Sequence, residues 1–225
     1  MVYILLSEKK WHKDLFLQLQ EKYPSYKWYL INSKDDFTKD KLATLNPNKI
    51  FIPHWSYIID KSIYKKYNCI VFHMTDLPFG RGGSPLQNLI VRGVENTKIS
   101  ALKVSEGIDT GDIYLKKNLN LNGTAEEIFM RATNVIFEMI KTIIDENIQP
   151  QKQIGEVTLF KRRTPSDSDI ASLIKIEDVY DHIRMLDAEG YPKAFIETEH
   201  FTFEFSRATL KFDKTIIADV RIIQK

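Results

Sequence analysis

Apolar and polar positions recur along this chain with two periods, one of two residues and one of between three and four, and their order predicts the fold. Val2 to Leu6 is an unbroken apolar run that reads as a strand buried on both faces. Trp11, Leu15, Leu17 and Leu19, set among charges, suit a helix that covers it. Tyr26 to Ile31 is a second strand, the lysine-rich Asp36 to Leu45 a helix, Lys49 to Pro53 a third strand and Cys69 to His73 a fourth. Ser84-Pro85 opens a further helix, with serine at the cap and proline at the first position, where both are favoured. Such alternation predicts an α/β fold with a mainly parallel sheet and helices on its faces.

Further on, Lys98 to Val104 and Ile113 to Leu121 alternate apolar with polar residues and read as two strands joined through the turn from Glu106 to Asp112. Thr124 and Glu127 form a capping-box pair ahead of the stripe Ile128, Ala132, Val135, Ile136, Met139, Ile140 and Ile143, which makes a long helix. Charges with Thr164-Pro165 and Ser166 mark Phe160 to Asp169 as a linker. A short helix around Glu177 to Leu186 and two or three strands between Ile196 and Ile223 follow. The expected organisation is a domain over 1–164 and a small C-terminal subdomain over 165–225, holding a helix and β-strands.

Composition narrows the class. With 225 residues and 43% hydrophobic content the chain can bury its own core. Lysine and arginine number 32 against 30 acidic residues, a net charge of +2, so no broad positive field is available for a nucleic-acid backbone. Cys69 is the one cysteine and allows no internal disulfide. Apolar runs are broken by charge well before the roughly 18 to 20 residues of a membrane span. The expectation is a soluble cytoplasmic protein with neither nucleic acid nor membrane as partner, and no histidine and acidic cluster has the spacing of a metal site.

The chemistry concentrates in two segments. Val71, His73 and Thr75 alternate on one face at the carboxyl end of the fourth strand, where ligands bind in an open parallel sheet. A histidine there can work as general acid or base near neutral pH, and a core histidine bonded to a loop carbonyl fits the same position. Gly80, Gly82 and Gly83 around Arg81 let backbone amides approach a ligand or simply make a turn. They form neither a dinucleotide fingerprint nor a phosphate loop. Asp109 and Asp112 flank Thr110-Gly111, a pattern in which aspartate also bonds its own turn. Cys69 lies about 13 Å from His73 along the strand, too far for a thiol-imidazole pair.

His73-Met74-Thr75-Asp76-Leu77-Pro78, Arg81-Gly82-Gly83-Ser84-Pro85 and Ile108-Asp109-Thr110-Gly111-Asp112, in this order and spacing, resemble the 10-formyltetrahydrofolate-dependent formyltransferase family. The resemblance covers about residues 48 to 145 well. Ile183 to Leu186 and Tyr191 to Phe195 are similar to a segment of its sugar-modifying members. It implies a Rossmann-like formyltransferase fold, 10-formyltetrahydrofolate as co-substrate, no metal, and His73 and Asp109 as catalytic residues. The family carries an asparagine, which holds the formyl oxygen, where this chain has Val71. Thr75, Asn88, Gly82, Gly83 and Arg81 are the candidates for oxyanion or substrate contacts in its place. The folate is expected against Phe51, Pro53, His54, Trp55 and Ser56 and against Val104, Gly107 and Ile108.

Methionyl-tRNA members carry a larger C-terminal domain than the roughly 60 residues after Thr164, so the expected acceptor is a nucleotide-linked amino sugar. Arg81, Arg92, Lys161, Arg162 and Arg163 are candidates for its diphosphate. The alternatives are a weakened or inactive binding relative, on account of Val71, or a formyltransferase for another small amine such as glycinamide ribonucleotide. A homodimer is a candidate assembly.

Overall fold

A computed structural model describes residues 1–225. The central sheet has six strands in the order β2-β1-β3-β4-β6-β7. These are β1 (Val2–Ser7), β2 (Lys27–Ile31), β3 (Lys49–His54), β4 (Cys69–His73), β6 (Asn96–Lys103) and β7 (Ile113–Asn120). Between β4 and β6 a short β5 (Arg81–Gly82) forms a ribbon with β8 (Leu159–Phe160). β1 runs parallel to both β2 and β3, β3 runs parallel to β4, and β6 pairs antiparallel with β4. The mainly parallel α/β sheet read from the alternation is therefore what the chain forms. Because the chain leaves β1 for β2 on one side and returns to β3 on the other, the carboxyl ends of β1 and β3 flank a topological switch point.

Strand alternation divides the core in two. Ile4 and Leu6 point with Ile31, Ile50, Ile52 and Cys69 into one apolar cluster, closed by Leu42 of α2 (Lys39–Leu45) and Ile63 of α3 (Lys61–Lys66). Their neighbours Tyr3, Trp28, Phe51 and Phe72 make an aromatic cluster, with ring centroids 5.0 to 6.5 Å apart. Each such fully buried side chain contributes about 1.5 to 3 kcal/mol.

Four helices were read from the sequence ahead of the linker and all form: α1 (His12–Lys22), α2, α4 (Pro85–Ile90) and α5 (Ala125–Asp145). At the start of α5 the amide of Thr124 donates to Glu127 at 2.8 Å and the amide of Glu127 donates back to Thr124 Oγ1 at 3.3 Å, the expected capping box. Helix α3 has no counterpart in the sequence reading; Asp60 caps it by accepting from the amide of Ser62 at 2.8 Å. Ser84 stands at the cap position of α4, yet its φ of +51° turns the hydroxyl away from the helix, and it accepts from the amide of Arg163 at 3.1 Å. The expected linker contains a 3₁₀ turn, Pro165–Ser168, in which the amide of Thr164 donates to Asp167 at 2.6 Å.

The chain groups into two compact units, each assembled from separated segments. The first comprises Met1–Arg81, Thr97–Leu119 and Met130–Leu159, and the second Gly82–Asn96, Asn120–Phe129 and Phe160–Lys225. Within the second, α6 (Ile176–Arg184) packs on β10 (Phe201–Leu210) of an antiparallel sheet ordered β11-β10-β9, with β9 at Ala194–Glu197 and β11 at Ile216–Gln224. Phe203 pairs with Ile222 and Phe205 with Val220, so one face of this sheet is apolar, and Phe201, Val220 and Ile222 on it are exposed. No helix is long and apolar enough to cross a membrane.

Candidate active site

The loop after β4 is pinned from beneath. Ser100 of β6 donates its hydroxyl to the carbonyl of Thr75 at 2.7 Å and accepts from the amide of Leu77 at 3.2 Å. Lys116 of β7 reaches Asp76 at 2.5 Å and also donates to the carbonyl of Leu77. Burial works against the charge of Asp76, but Lys116 and Lys98 hold its carboxyl below the ordinary range. His73 therefore stands at the base of a rigid loop.

Its ring bonds in two directions. Nε2 lies 2.8 Å from the carbonyl of Gly80, and since a carbonyl only accepts, Nε2 carries a proton. Nδ1 faces Asp109 Oδ2 at 3.5 Å, with the two side chains 7% and 15% exposed. A proton gained at Nδ1 makes an imidazolium that donates to both oxygens, and a proton lost there leaves the ring still anchored through Nε2. The pair thus converges as the sequence led us to expect, and it is built to take up and release a proton at one atom.

Asp109 reaches that place by an unusual backbone. Its φ is +53°, a left-handed conformation that aspartate tolerates better than most residues. Gly111 two residues on has no room for a side chain: a Cβ there would stand 1.7 Å from the carbonyl of Lys103. Gln153 secures the turn. Its amide donates to the carbonyls of Asp109 and Gly111, each at 2.8 Å, and its Oε1 accepts from Arg81 at 2.8 and 3.1 Å. All four hydrogen-bonding capacities of this one side chain hold the segment that carries the acid. The sequence reading missed it, because a lone glutamine in an aperiodic stretch carries no signal.

Several other sequence-selected residues are engaged elsewhere. Thr75 is fully buried and gives its hydroxyl to the carbonyl of Gly80 at 3.3 Å, the same oxygen that His73 holds. Asn88, in the second unit, donates to the carbonyls of Gly83, Ser84 and Lys161. The amides of Gly80 and Arg81 both donate to Thr158 at 3.0 Å. Gly82 and Gly83 serve close chain approach, since a Cβ would meet the Phe160 carbonyl at 2.3 Å or the Arg162 Cβ at 2.6 Å. The replacements considered for the asparagine at the Val71 position thus have structural bonds or close chain contacts.

Among the residues expected against the folate, Phe51 is corrected: it is fully buried within the aromatic cluster on the opposite face from His73, and Pro53, which shares its parity, is buried as well. Trp55 and Val104 are half-buried and pack with Val71 against the same apolar cluster, with Trp55 edge-on to Phe37 at 5.8 Å. His54 is half-buried, and Ser56, Gly107 and Ile108 are exposed. Burial pushes the Cys69 thiol up to about 12, so it is no nucleophile. No group of three or more histidine, cysteine or acidic residues is arranged to hold a metal ion.

Comparison with known proteins accords with this geometry. Residues 9–135 match the profile of the family described as "Formyl transferase", and residues 165–223 match "Methionyl-tRNA formyltransferase, C-terminal domain". The solved structure of a methionyl-tRNA formyltransferase from Clostridium thermocellum is 52% identical over the whole of both chains, with a TM-score of 0.97. The methionyl-tRNA formyltransferase of Rickettsia felis is 33% identical over 144 residues, which are 61% of this chain and 48% of that protein. The chain thus spans about half the length of the curated relatives it matches. At 21% identity and a TM-score of 0.56, the fold is shared by the formyltransferase PseJ from Anoxybacillus kamchatkensis, over 72% of this chain and 86% of that one. With more than half its length under the first profile and its expected acid and imidazole in contact, this chain belongs to the formyl transferase family.

Proposed function

We propose that this chain is an N-formyltransferase that moves a formyl group from 10-formyltetrahydrofolate to the amine of a nucleotide-linked amino sugar. The observation that carries the transfer is the His73–Asp109 contact, with the far side of the imidazole anchored to Gly80. The acceptor amine forms a bond to the formyl carbon, the bond from that carbon to N10 breaks, and one proton leaves the amine. His73 takes that proton at Nδ1, Asp109 stabilises the resulting cation, and the proton returns to N10 as the second bond breaks. Val71, Trp55 and Val104 offer an apolar surface for the pterin, and Ser56, Gly107 and Ile108 line its edge. Residues 1–164 carry catalysis in this reading, 165–225 form the small subdomain, and a homodimer is its assembly.

For the acceptor, the nearly balanced net charge favours a small anion over a long nucleic-acid backbone. The structure of PseJ was determined with UDP-4,6-dideoxy-4-formamido-L-AltNAc and tetrahydrofolate, a ligand pair of the class proposed. A methionyl-tRNA acceptor is the second reading, favoured by the names of the relatives at 52% and 33% identity. A catalytically weakened relative is a third, favoured by the packing of Val71 against an apolar wall. Incubation with 10-formyltetrahydrofolate and either a panel of nucleotide amino sugars or methionyl-tRNA, read by mass spectrometry, separates them. A formamido sugar is the expected product; formyl-methionyl-tRNA alone overturns the acceptor, and no product with either overturns the transfer. In the same assay Val71→Asn raises turnover about tenfold or more if a missing oxyanion donor limits the rate.

A further inference from the structure

The second unit holds a cationic cluster that the chemistry at His73 does not use. Asn88 is its hub. The Asn88 carbonyl and Oδ1 both accept from Arg92 Nη1, at 2.6 and 3.0 Å, while Asn88 Nδ2 donates to the carbonyl of Lys161 at 2.8 Å. Ser84 accepts from the amide of Arg163 at 3.1 Å. The end of α4 and the segment 160–163 are thereby stapled side by side, and Arg92 lies over the Phe160 ring at 4.5 Å. Arg163 donates Nη2 to the carbonyl of Asp167, and its Nε is buried with no acceptor.

Two features set this apart from an ordinary basic surface. First, neither guanidinium forms an ion pair; their hydrogen-bond acceptors are a side-chain amide and main-chain carbonyls, and Asp167 is the carboxylate whose charge partly offsets Arg163. Burial and the neighbouring Arg92 charge lower the Arg163 pKa, against the opposing pull of Asp167. Second, donors are left over. Ser84 accepts from Arg163, so its own O–H has no protein acceptor, and Arg92 uses only Nη1. His182 stands beside them with Nδ1 donating to the Asp178 carbonyl at 2.8 Å, which turns Nε2 away as a free ring nitrogen. A buried donor without an acceptor is unfavourable, and two neighbouring guanidinium groups repel. Both penalties are relieved by one kind of ligand, a multiply charged oxyanion.

We infer that Ser84, Arg92, Arg163 and His182 form a diphosphate-binding site, with Arg163 as its centre. The inference rests on the acceptor reading above and sharpens it, since it says which residues of this chain would hold the phosphates of a nucleotide-linked sugar. Arg162 belongs to it less, because its stem lies against Gly83.

The test uses the full chain with inorganic pyrophosphate and with UDP, and with no folate, so that it is blind to catalysis. Calorimetric titration is expected to give binding that weakens about tenfold or more in Arg163→Gln and in Arg92→Gln, and several-fold in Ser84→Ala. Arg163→Lys keeps the charge and recovers part of the affinity, and thermal melts identify any variant that fails to fold. In proton NMR the His182 imidazole, which also faces Arg163, Asp178 and Asp181, is expected to titrate at higher pH once pyrophosphate is bound. Unchanged affinity in both glutamine variants overturns the assignment, as does an unmoved His182 resonance. Deacylated tRNA displacing pyrophosphate at lower concentration than UDP does would give the cluster to a nucleic acid and overturn it too. If pyrophosphate binds as described but no amino sugar is formylated, the site stands and the acceptor reading falls alone.

Discussion

Two buried imidazoles sit at carboxyl ends of the same sheet and are treated in opposite ways. Beyond β1, His12 is 3% exposed, with Nδ1 hydrogen-bonded to Ser7 Oγ at 2.6 Å, while that oxygen accepts from the amide of Lys9. Burial, with His54 and Lys9 nearby, pushes His12 down to about 3, and burial with Lys9 pushes His54 to about 4. Beyond β4, His73 is nearly as buried at 7% but has Asp109 at one nitrogen and a carbonyl at the other. Burial alone makes an imidazole inert; a carboxylate placed against it restores a use for the second proton. The histidine at the switch point is thus the one without a carboxylate, and the one paired with an acid lies two strands away.

The sharpest way to break that contrast is to remove each ring in turn. His73→Ala is expected to lower kcat for formyl transfer about 10³-fold, whereas His12→Ala, assayed at pH 7.5, stays within a small factor of the parent. Equal losses in the two would show that the contact with Asp109 confers nothing. Next in size is Asp109→Asn, with a kcat lower by about 10²-fold. An unchanged kcat would remove the acid from the proton path. Gln153→Ala leaves both groups in place and frees the turn between them, so kcat is expected to fall about tenfold with little change in the KM for folate. A loss confined to KM would make Gln153 a binding residue instead.

Smallest is an effect on stability. His12 and His54 bind protons in the unfolded chain below about pH 6.5 and resist them in the fold, so folding weakens as pH falls from about 6.5 toward 4. The slope is at most about 1.4 kcal/mol per pH unit for each ring. Urea denaturation between pH 7 and 4.5 is expected to show it, and His12→Gln to reduce it.

Much of this was legible in the chain because it depends on local period. The order of strands, the ends of β4 at Cys69 and His73, and the capping box of α5 follow from alternation and cap chemistry. So did the meeting of His73 with Asp109, through three spaced motifs. What escaped depends on which face meets which. Alternation put Phe51 and Ile52 on opposite faces without saying which lay toward His73, and the structure packs Phe51 into the aromatic cluster on the other face. Ser84 carried a helix-cap signal that its left-handed backbone redirected to Arg163. Gln153 acts across 44 and 42 residues on carbonyls, groups that every residue possesses, so nothing in its surroundings marks it.

Gly111 leaves a lasting constraint on how this protein can diverge. Surface loops usually accept insertions and deletions, because nothing fixes the spacing of their ends. Here the peptide at Gly111 lies flush with that of Lys103, so the intervening residues act as a gauge of fixed length between imidazole and acid. Drift can recolour Glu106 and Ile108 at the exposed crest, but a chain longer or shorter by one residue would detach the carboxylate from its ring.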